Sequence, residues 1–218
     1  GFEVTHVYGL TEVYGPCVIC HWKEEWESLS ISDQAQLKAR QGTSYLVQEG
    51  LRVVYPGTMD DVPKDGKTLG EVILKGNIMM KGYLENDQAT REAFRGGWFH
   101  TGDLGEIHTS GHIKILGRLD DTIVTSTGNK IIPEPIESRL LKECGYDLDR
   151  VVIVGHGEKY ICALLALKRG GDVSKVLKGV DSYNSMYAAS RTEKIRRVSL
   201  IVLDRDDVTP TNKIKRSI

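Results

Sequence analysis

The sequence lacks several features that would place it in a specialised class of protein. Its 218 residues carry 29 basic and 30 acidic side chains, so no excess of positive charge favours nucleic acid or an anionic membrane surface. The four cysteines, Cys17, Cys20, Cys144 and Cys162, are too few and too scattered for a disulfide scaffold, and they fit a reducing compartment. The longest strongly apolar run is the seven residues 161–167, whereas a transmembrane helix needs about 20.

What remains is the composition of an ordinary globular chain. Hydrophobic residues make up 40% and charged residues 27% of the sequence, which is sufficient for a hydrophobic core. The length suggests one domain, or one and a half. No basic start followed by an apolar stretch marks a signal peptide, so we expect an intracellular protein. The chain begins Gly1-Phe2-Glu3, and the missing initiating methionine suggests a piece of a longer protein.

The stretch Cys17-Val18-Ile19-Cys20-His21 has the C-x-x-C-H spacing of c-type haem attachment. Its central residues are β-branched, which favours an extended backbone. On a strand, Cys17 and Cys20 would point to opposite faces and could not both bond to one porphyrin edge. We therefore predict no haem here. No second C-x-x-C or H-x-x-x-H completes a zinc site, and both cysteines are interpreted as small core residues.

Hydrophobic periodicity and turn residues predict a mixture of strands and short helices. The predicted helices are residues 30–40, capped by Ser32, residues 87–94, capped by Asp87, and residues 133–143, which begin at Pro133. The predicted strands are residues 4–7, 50–54, 71–74, 150–154, 160–168 and 199–203. Thr109-Ser110-Gly111 predicts a hairpin turn between residues 104–107 and 112–116. Strands and helices that do not alternate regularly indicate an α+β fold from about residue 118 onward.

Four short motifs carry the chemistry, although each alone has an ordinary explanation as a strand end, a turn or a solvated basic tail. They are Tyr8-Gly9-Leu10-Thr11-Glu12, Gly97-Trp98-Phe99-His100-Thr101-Gly102-Asp103, Gly117-Arg118-Leu119-Asp120-Asp121, and the tail Thr209-Pro210-Thr211-Asn212-Lys213-Ile214-Lys215-Arg216. In this order, they make the chain resemble the carboxyl-terminal part of the adenylate-forming (AMP-binding) enzymes. This family includes acyl-CoA synthetases, coumarate ligases, firefly luciferase and the adenylation domains of peptide synthetases.

Further stretches are similar to particular branches of that family. YGPCVICHWKEEW and GKTLGEVILKGNIMMKGYL resemble acyl-CoA synthetases of the plant acyl-activating type, whereas GNKIIPEPIE and TPTNKIKR resemble the long-chain, bubblegum-like synthetases. Pro135 stands where many relatives have glutamate, as it does in bubblegum-like members. The chain length of the acid therefore stays open.

The resemblance implies a mixed α+β chain with a defined domain order. Residues 1–117 would be the end of a large α/β domain with a β-barrel-like part, residues 118–121 a hinge, and residues 122–218 a small mobile C-terminal domain. The family carries an upstream phosphate loop rich in Ser, Thr and Gly, and no such loop occurs in these residues. We therefore expect a chain truncated at both ends, with little or no activity alone.

The implied activity is the ATP-dependent activation of a carboxylic acid, expected to be a fatty acid. The acid forms an acyl-adenylate, and the acyl group then passes to the thiol of coenzyme A. The implied small molecules are ATP or AMP, Mg²⁺, coenzyme A and the acid. Neither nucleic acid nor a transmembrane segment is expected, membrane contact through residues outside this chain stays open, and the expected location is the cytoplasm or the peroxisome.

The resemblance assigns nucleotide contacts to the first three motifs. Tyr8 would offer a flat face to adenine beside Gly9, as aromatic rings do for any base. Thr11 would offer a hydroxyl to the α-phosphate, and Glu12 a hard oxygen ligand to Mg²⁺. The Asp103 carboxylate would accept hydrogen bonds from the two ribose hydroxyls. Arg118 would lie on the ribose and phosphate side of the nucleotide.

Three further residues have implied roles in the two reaction steps. Lys213 would stabilise the charge that develops when the acid attacks the α-phosphate. Asp120 would be the hinge residue that absorbs the backbone change when the small domain turns. Gly128 would let the narrow pantetheine arm of coenzyme A pass close to the backbone.

Two other functions remain open at this point. One is adenylation followed by transfer to a carrier-protein arm, or by oxidation. The other is a non-catalytic binding module that keeps the AMP-binding fold. The joint presence of Thr11, Glu12, Asp103, Arg118 and Lys213 favours an enzyme, since a module without activity could lose any of them.

Overall fold

The structure, a computed structural model, describes residues 2–46, 48–204 and 207–208. The chain divides into two compact units, Gly1–Leu119 and Asp120–Ile218, called unit 1 and unit 2 below. Each unit has a hydrophobic core of its own. The division follows the motif Gly117-Arg118-Leu119 directly, and the next residue is Asp120.

Unit 1 is built mainly from antiparallel strands. Its described strands are β1 (Val7–Leu10), β2 (Gly15–Ile19), β3 (Thr43–Ser44), β4 (Gln48–Val54), β5 (Gly70–Gly76), β6 (Phe99–Ile107) and β7 (Ile113–Arg118). Strands β1 to β3 form one sheet, and β4 to β7 form a second in chain order. Both sheets are open among the described residues, so the barrel-like part expected for this region is not a closed barrel there.

The core of unit 1 lies against the second sheet and includes the first cysteine. Cys17 on β2 is fully buried next to Val18, and Cys20 is 6% exposed. All four cysteines are free thiols. The interpretation of Cys17 and Cys20 as small core residues is confirmed, and residues 15–19 have the extended backbone that the sequence predicted.

The N-caps of two helices in unit 1 lie one or two residues before the positions that the sequence suggested. Helix α1 (Ile31–Lys38) is capped by Ser30, whose hydroxyl accepts a hydrogen bond from Asp33 N, and not by Ser32. Helix α2 (Asp87–Ala93) is capped by Asn86 and not by Asp87. Serine and asparagine are both favoured caps, so composition alone did not decide between neighbouring positions.

Unit 2 combines two small sheets with two helices. Its described strands are β8 (Ile123–Val124), β9 (Lys130–Ile131), β10 (Leu148–Val154), β11 (Ile161–Leu167) and β12 (Ile195–Leu200). β8 and β9 form a short hairpin, while β10 pairs with β11 antiparallel and β11 with β12 parallel. The third strand therefore starts earlier than the predicted residues 199–203. The mixed α+β class is confirmed.

The helices of unit 2 are α3 (Pro133–Cys144) and α4 (Val173–Met186). Helix α3 starts at proline as predicted, and its buried positions Pro133, Ile136, Leu140 and Cys144 repeat every three or four residues. The sequence analysis missed α4, which begins after Asp172 caps Ser174 N. The two helices pack closely at Gly179, where a Cβ would lie 2.6 Å from Cys144 Sγ. Among the described residues, neither these helices nor those of unit 1 reach the length and apolarity of a membrane span.

Candidate active site

Asp103 lies at the centre of a polar cluster within unit 1. Its carboxylate accepts a hydrogen bond from the Tyr8 hydroxyl at 2.5 Å through one oxygen, and from Arg118 Nη1 at 2.7 Å through the other. The same Arg118 nitrogen donates to the carbonyl of Thr101 at 2.7 Å. Asp103 and Arg118 face each other across the β6–β7 hairpin, so the hairpin that the sequence predicted brings two of the motifs into contact.

The environment of the cluster keeps the Tyr8 phenol protonated. Asp103 is only 7% exposed, while the Arg118 side chain is 44% exposed. Burial and then the negative charge of Asp103 raise the pKa of Tyr8 well above its ordinary value. The phenol therefore remains a hydrogen-bond donor to the Asp103 carboxylate.

Two glycines permit the close approaches that this cluster needs. A Cβ on Gly9 would lie 1.8 Å from the carbonyl oxygen of Gly15, at the irregular pairing of β1 with β2. Gly102 has φ +70°, and a Cβ there would lie 2.7 Å from Arg118 Nη2. A larger side chain at either position would push the backbone or the guanidinium out of place.

Thr11 and Glu12 lie on a 3₁₀ turn, Thr11–Val13, that follows β1 directly. The buried Val13 anchors this turn, and the Glu12 carbonyl accepts a hydrogen bond from Met80 N at 2.7 Å. Thr11 is exposed and Glu12 half-buried. Tyr83 donates a hydrogen bond from its hydroxyl to Glu12 Oε1 at 3.1 Å. Burial and then this hydrogen bond raise the pKa of Tyr83, which keeps the phenol a donor.

The side chains around Glu12 do not form a complete set of protein ligands for Mg²⁺ among the described residues. In the part of the chain that the structure describes, no group of three or more His, Cys, Asp or Glu side chains lies close enough to hold a metal. Mg²⁺ is commonly bound through one or two carboxylates together with substrate phosphates and water. Glu12 is thus suited to a metal that arrives with a phosphorylated substrate.

Asp120 and Gly128 belong to unit 2. Asp120 is exposed at the turn where unit 2 begins. Gly128 is exposed in the loop 125–129 between β8 and β9, with φ +81° and no atom within 4 Å of a Cβ placed there. The backbone at Gly128 thus borders open space, which is compatible with a narrow ligand passing along it.

Hydrogen bonds hold this loop in a single shape. The buried Thr125 hydroxyl accepts a bond from Asn129 N at 3.1 Å, and Gly128 N donates to the Thr125 carbonyl at 2.9 Å. Ser126 N donates to the Glu158 carbonyl in the β10–β11 turn at 2.9 Å. The loop and that turn therefore support each other.

A basic cleft of about 610 Å³ borders the same loop within unit 2. Its lining residues are Thr127, Asn129, Lys159, Tyr160, Arg191, Thr192, Arg196 and Arg197. Four of the eight are cations, and none is an acid. The Arg197 guanidinium lies 5.6 Å from the Tyr160 ring centre. Such a surface suits a ligand that carries phosphates, because fixed cations and hydroxyl donors meet phosphate oxygens there.

The structure thus brings some of the predicted residues together and leaves others separate. Tyr8, Asp103 and Arg118 form one cluster, and Thr11 and Glu12 form a turn next along the chain. Lys213 and its motif 209–216 lie outside the described residues. The roles assigned to all of these residues stay predictions.

Sequence reasoning missed Tyr83 and the basic cleft. Tyr83 is 71 residues away from Glu12 in the sequence, and its only local signal was a Gly-Tyr pair after the methionines. The cleft draws its cations from two separated segments, around residues 159 and 191–197. The paired arginines Arg196-Arg197 were the one visible hint.

Comparisons with known proteins agree with the resemblance. The sequence model of the AMP-binding enzyme C-terminal domain matches residues 120–217. The chain is 46% identical over 173 residues to the probable acyl-activating enzyme 22 of Arabidopsis thaliana, covering 78% of this chain and 32% of that protein. It is 45% identical over 177 residues to the acetate–CoA ligase CCL3 of Humulus lupulus, covering 80% and 31%. The chain spans about a third of the length of these curated relatives.

A solved structure extends the similarity to the fold. It is the o-succinylbenzoate CoA synthetase of Bacillus subtilis in complex with its acyl-adenylate intermediate. The TM-score is 0.74 at 22% sequence identity, and the match covers 98% of this chain and 40% of that chain. At this identity the comparison establishes the fold.

Proposed function

The chain belongs to the AMP-binding enzymes, and on that premise we propose that the whole protein activates a carboxylic acid as an acyl-adenylate and transfers the acyl group to coenzyme A. The observation that carries this proposal is the Asp103 carboxylate, held from both sides by Tyr8 and Arg118. A buried, oriented, acceptor-only group of this kind suits the two adjacent hydroxyls of a ribose.

In the first step, a carboxylate oxygen of the acid attacks the α-phosphorus of ATP, and the bond to pyrophosphate breaks. The Asp103 carboxylate accepts hydrogen bonds from the two ribose hydroxyls. The half-exposed Arg118 guanidinium faces the phosphates of the nucleotide. The exposed Thr11 hydroxyl donates to an α-phosphate oxygen. Lys213 supplies the positive charge that the transition state needs. Glu12 would hold Mg²⁺, which neutralises the departing pyrophosphate.

In the second step, the thiol of coenzyme A attacks the acyl carbon, and AMP leaves. The open backbone at Gly128 borders the path of the pantetheine arm. The basic cleft next to it binds the phosphates of the nucleotide end through Arg191, Arg196 and Lys159. Asp120 is the hinge between the domains, which we place at residues 1–117 and 122–218 on either side of residues 118–121.

The acid is the least defined part of the proposal. Similar plant proteins are named as ligases of acetate, butyrate, benzoate and cinnamate, whereas the sequence analysis predicted a fatty acid. Several of these proteins are named as peroxisomal, which supports a location in the cytoplasm or the peroxisome. We propose a monocarboxylic acid of short to medium length or an aromatic acid.

A test of this function measures acid-dependent ATP–pyrophosphate exchange and thioester formation by the whole protein. The acids are acetate, butyrate, octanoate, palmitate, benzoate and cinnamate, and the acceptors are coenzyme A and a phosphopantetheinylated carrier protein. Exchange with at least one acid, followed by transfer to coenzyme A, is the expected result. Transfer to the carrier protein alone would favour the carrier-loading alternative, and no exchange with any acid would favour the non-catalytic module.

Substitutions at the unit 2 loop and cleft are expected to slow the second step alone. Gly128→Leu adds a side chain where the backbone has φ +81°. We expect the rate of thioester formation to fall about tenfold or more, because a displaced pantetheine arm no longer places its thiol for attack on the acyl carbon. Arg196→Ala should raise KM for coenzyme A about tenfold through one lost phosphate contact. Pyrophosphate exchange should stay within about twofold of the unmodified protein in both variants.

Gly170→Leu is the matched control for the loop variant. Gly170 also lies in an exposed turn of unit 2, with φ +78° and no atom within 4 Å of a Cβ. It should leave both steps unchanged. Equal losses in Gly128→Leu and Gly170→Leu would mean that backbone strain, and not the ligand path, explains the effect.

A further inference from the structure

Strand β6 leaves its regular register with β5 next to Asp103, the residue proposed to bind the ribose. The pairing shifts between Glu71 and Ile73, where Val72 alone faces the three residues 101–103. A bulge of this kind bends a strand and re-aims its side chains. The bulge is therefore the local feature that orients the Asp103 carboxylate.

Two side chains satisfy the backbone groups that the bulge leaves unpaired. The buried Thr101 hydroxyl donates to the Val72 carbonyl at 2.7 Å and accepts a hydrogen bond from Asp103 N at 3.0 Å. Glu71 Oε1 accepts a hydrogen bond from Gly102 N at 3.2 Å. Thr101 thus holds the amide of Asp103 itself, and Glu71 holds the amide of the residue before it.

Glu71 is itself held by neighbours on the far side of its carboxylate. It is only 4% exposed, and its Oε2 lies 2.9 Å from His100 Nδ1. The Arg95 guanidinium lies 3.7 Å from the same oxygen. The other ring nitrogen of His100, Nε2, lies 3.1 Å from the Arg95 carbonyl oxygen. One oxygen of the Glu71 carboxylate is therefore held by Gly102 N, and the other by His100 and Arg95.

A buried carboxylate beside a histidine is a costly way to stabilise a sheet. Apolar side chains of similar volume usually stabilise a core as well as a buried ion pair does, or better. Here the carboxylate contacts the bulge at Gly102, whose positive φ of +70° brings the chain to Asp103. The contact between Glu71 and Gly102 N therefore lies directly beside Asp103, whose carboxylate accepts hydrogen bonds from Tyr8 and Arg118.

We propose that Glu71, held by His100, and Thr101 are positioning residues that fix the Thr101–Asp103 bulge and thereby aim the Asp103 carboxylate at the ribose of the nucleotide. The inference rests on the proposed function and extends it to residues that do not contact the substrate. It predicts weaker binding of ATP and AMP when the hydrogen bond from Gly102 N to Glu71 is lost.

Two substitutions at Glu71 separate this role from a structural one. Glu71→Gln keeps an oxygen that can accept from Gly102 N, whereas Glu71→Met fills a similar volume without any acceptor. In the whole protein, we expect Glu71→Met to raise KM for ATP and the AMP dissociation constant about tenfold, with kcat changed less than about threefold. Glu71→Gln should stay within about threefold of the unmodified protein in all three quantities.

The control is Glu106, on β6, the strand that carries Asp103. Its carboxylate also lies near a histidine and a cation, at 3.7 Å from His108 Nε2 and 3.8 Å from Lys114 Nζ. Glu106 lies outside the 101–103 bulge. Glu106→Met should therefore leave KM for ATP and AMP binding unchanged.

A crystal structure of Glu71→Met provides a readout that does not depend on activity. The inference expects the Asp103 carboxylate to lose its hydrogen bond from Arg118, and an unchanged Asp103–Arg118 pair at about 2.7 Å would overturn it. Unaltered AMP binding in a folded Glu71→Met protein would also overturn it. If that variant does not fold, Thr101→Val takes its place with the same expected rise in KM. Absence of acid-dependent exchange in the unmodified protein would instead contradict the proposed function, while the crystallographic test still decides the positioning role.

Discussion

Replacing Asp103 by alanine in the whole protein is expected to lower kcat/KM for ATP by about a hundredfold or more. Each hydrogen bond from a ribose hydroxyl to a carboxylate contributes about 1.5–3 kcal/mol, and each 1.4 kcal/mol corresponds to about a factor of ten. Two such bonds are lost together. The defect should appear as a raised KM for ATP and weaker AMP binding, measured by pyrophosphate release and calorimetry.

The same substitution also leaves the donors around Asp103 without their acceptor. The Tyr8 hydroxyl and Arg118 Nη1 both donate to this carboxylate, so we expect the free energy of unfolding to fall by about 1–3 kcal/mol. Urea denaturation measures this loss separately. Assays are then run at a temperature where the variant stays folded, so that lost stability is not counted as lost binding.

Asp61→Ala is the matched control for Asp103→Ala. Asp61 also pairs with an arginine in unit 1, Arg52, at 2.7 Å, but its side chain is 62% exposed and the pair lies on the surface. Exposed ion pairs contribute little to stability, and this one has no proposed nucleotide contact. Equal loss of ATP binding in the two variants would contradict the role given to Asp103.

Short-range features of the fold were largely predictable from the sequence. The hairpin around Thr109-Ser110-Gly111 and the helix starting at Pro133 follow from local turn and capping chemistry. Helix α4 was missed because its buried positions, Val176, Gly179, Val180 and Tyr183, include a glycine that weakens the apolar pattern. That glycine is explained only by its close approach to Cys144, a contact across 35 residues that local patterns do not contain.

The sequence predicted which residues belong to the candidate site, but not the hydrogen bonds that hold them in place. The motifs named Tyr8, Asp103 and Arg118, and the resemblance assigned all three to one nucleotide. No sequence pattern indicated that Tyr8 donates to Asp103, or that a bulge held by Glu71 orients the carboxylate. These contacts join positions 95 and 31 residues apart, so they depend on strand register, which a one-residue shift in pairing would change completely.

The largest effect of all is expected for Lys213→Ala, which should reduce acyl-adenylate formation by about a thousandfold. Lys213 lies outside the described residues, and its role comes from the motif Thr211-Asn212-Lys213. Removing one preorganised group that stabilises developing charge costs about 3–4 kcal/mol of transition-state stabilisation, which corresponds to roughly a hundred- to a thousandfold in rate, and we expect the upper end for a full positive charge. Thioester formation from added acyl-adenylate should stay within about threefold, since that step does not use this charge.

Lys215→Ala distinguishes this role from that of a solvated basic tail. Lys215 stands two residues further along the same segment and carries the same charge. If the tail acted only through its net positive charge, both substitutions would weaken the enzyme equally, and the loss would fade as salt screens the charge. A catalytic Lys213 requires a large first-step loss in Lys213→Ala, near-normal rates in Lys215→Ala, and the same contrast at high salt. Equal loss of both half-reactions in Lys213→Ala would refute the assignment, because a single cation at the α-phosphate has no means to slow attack of the thiol on a finished acyl-adenylate.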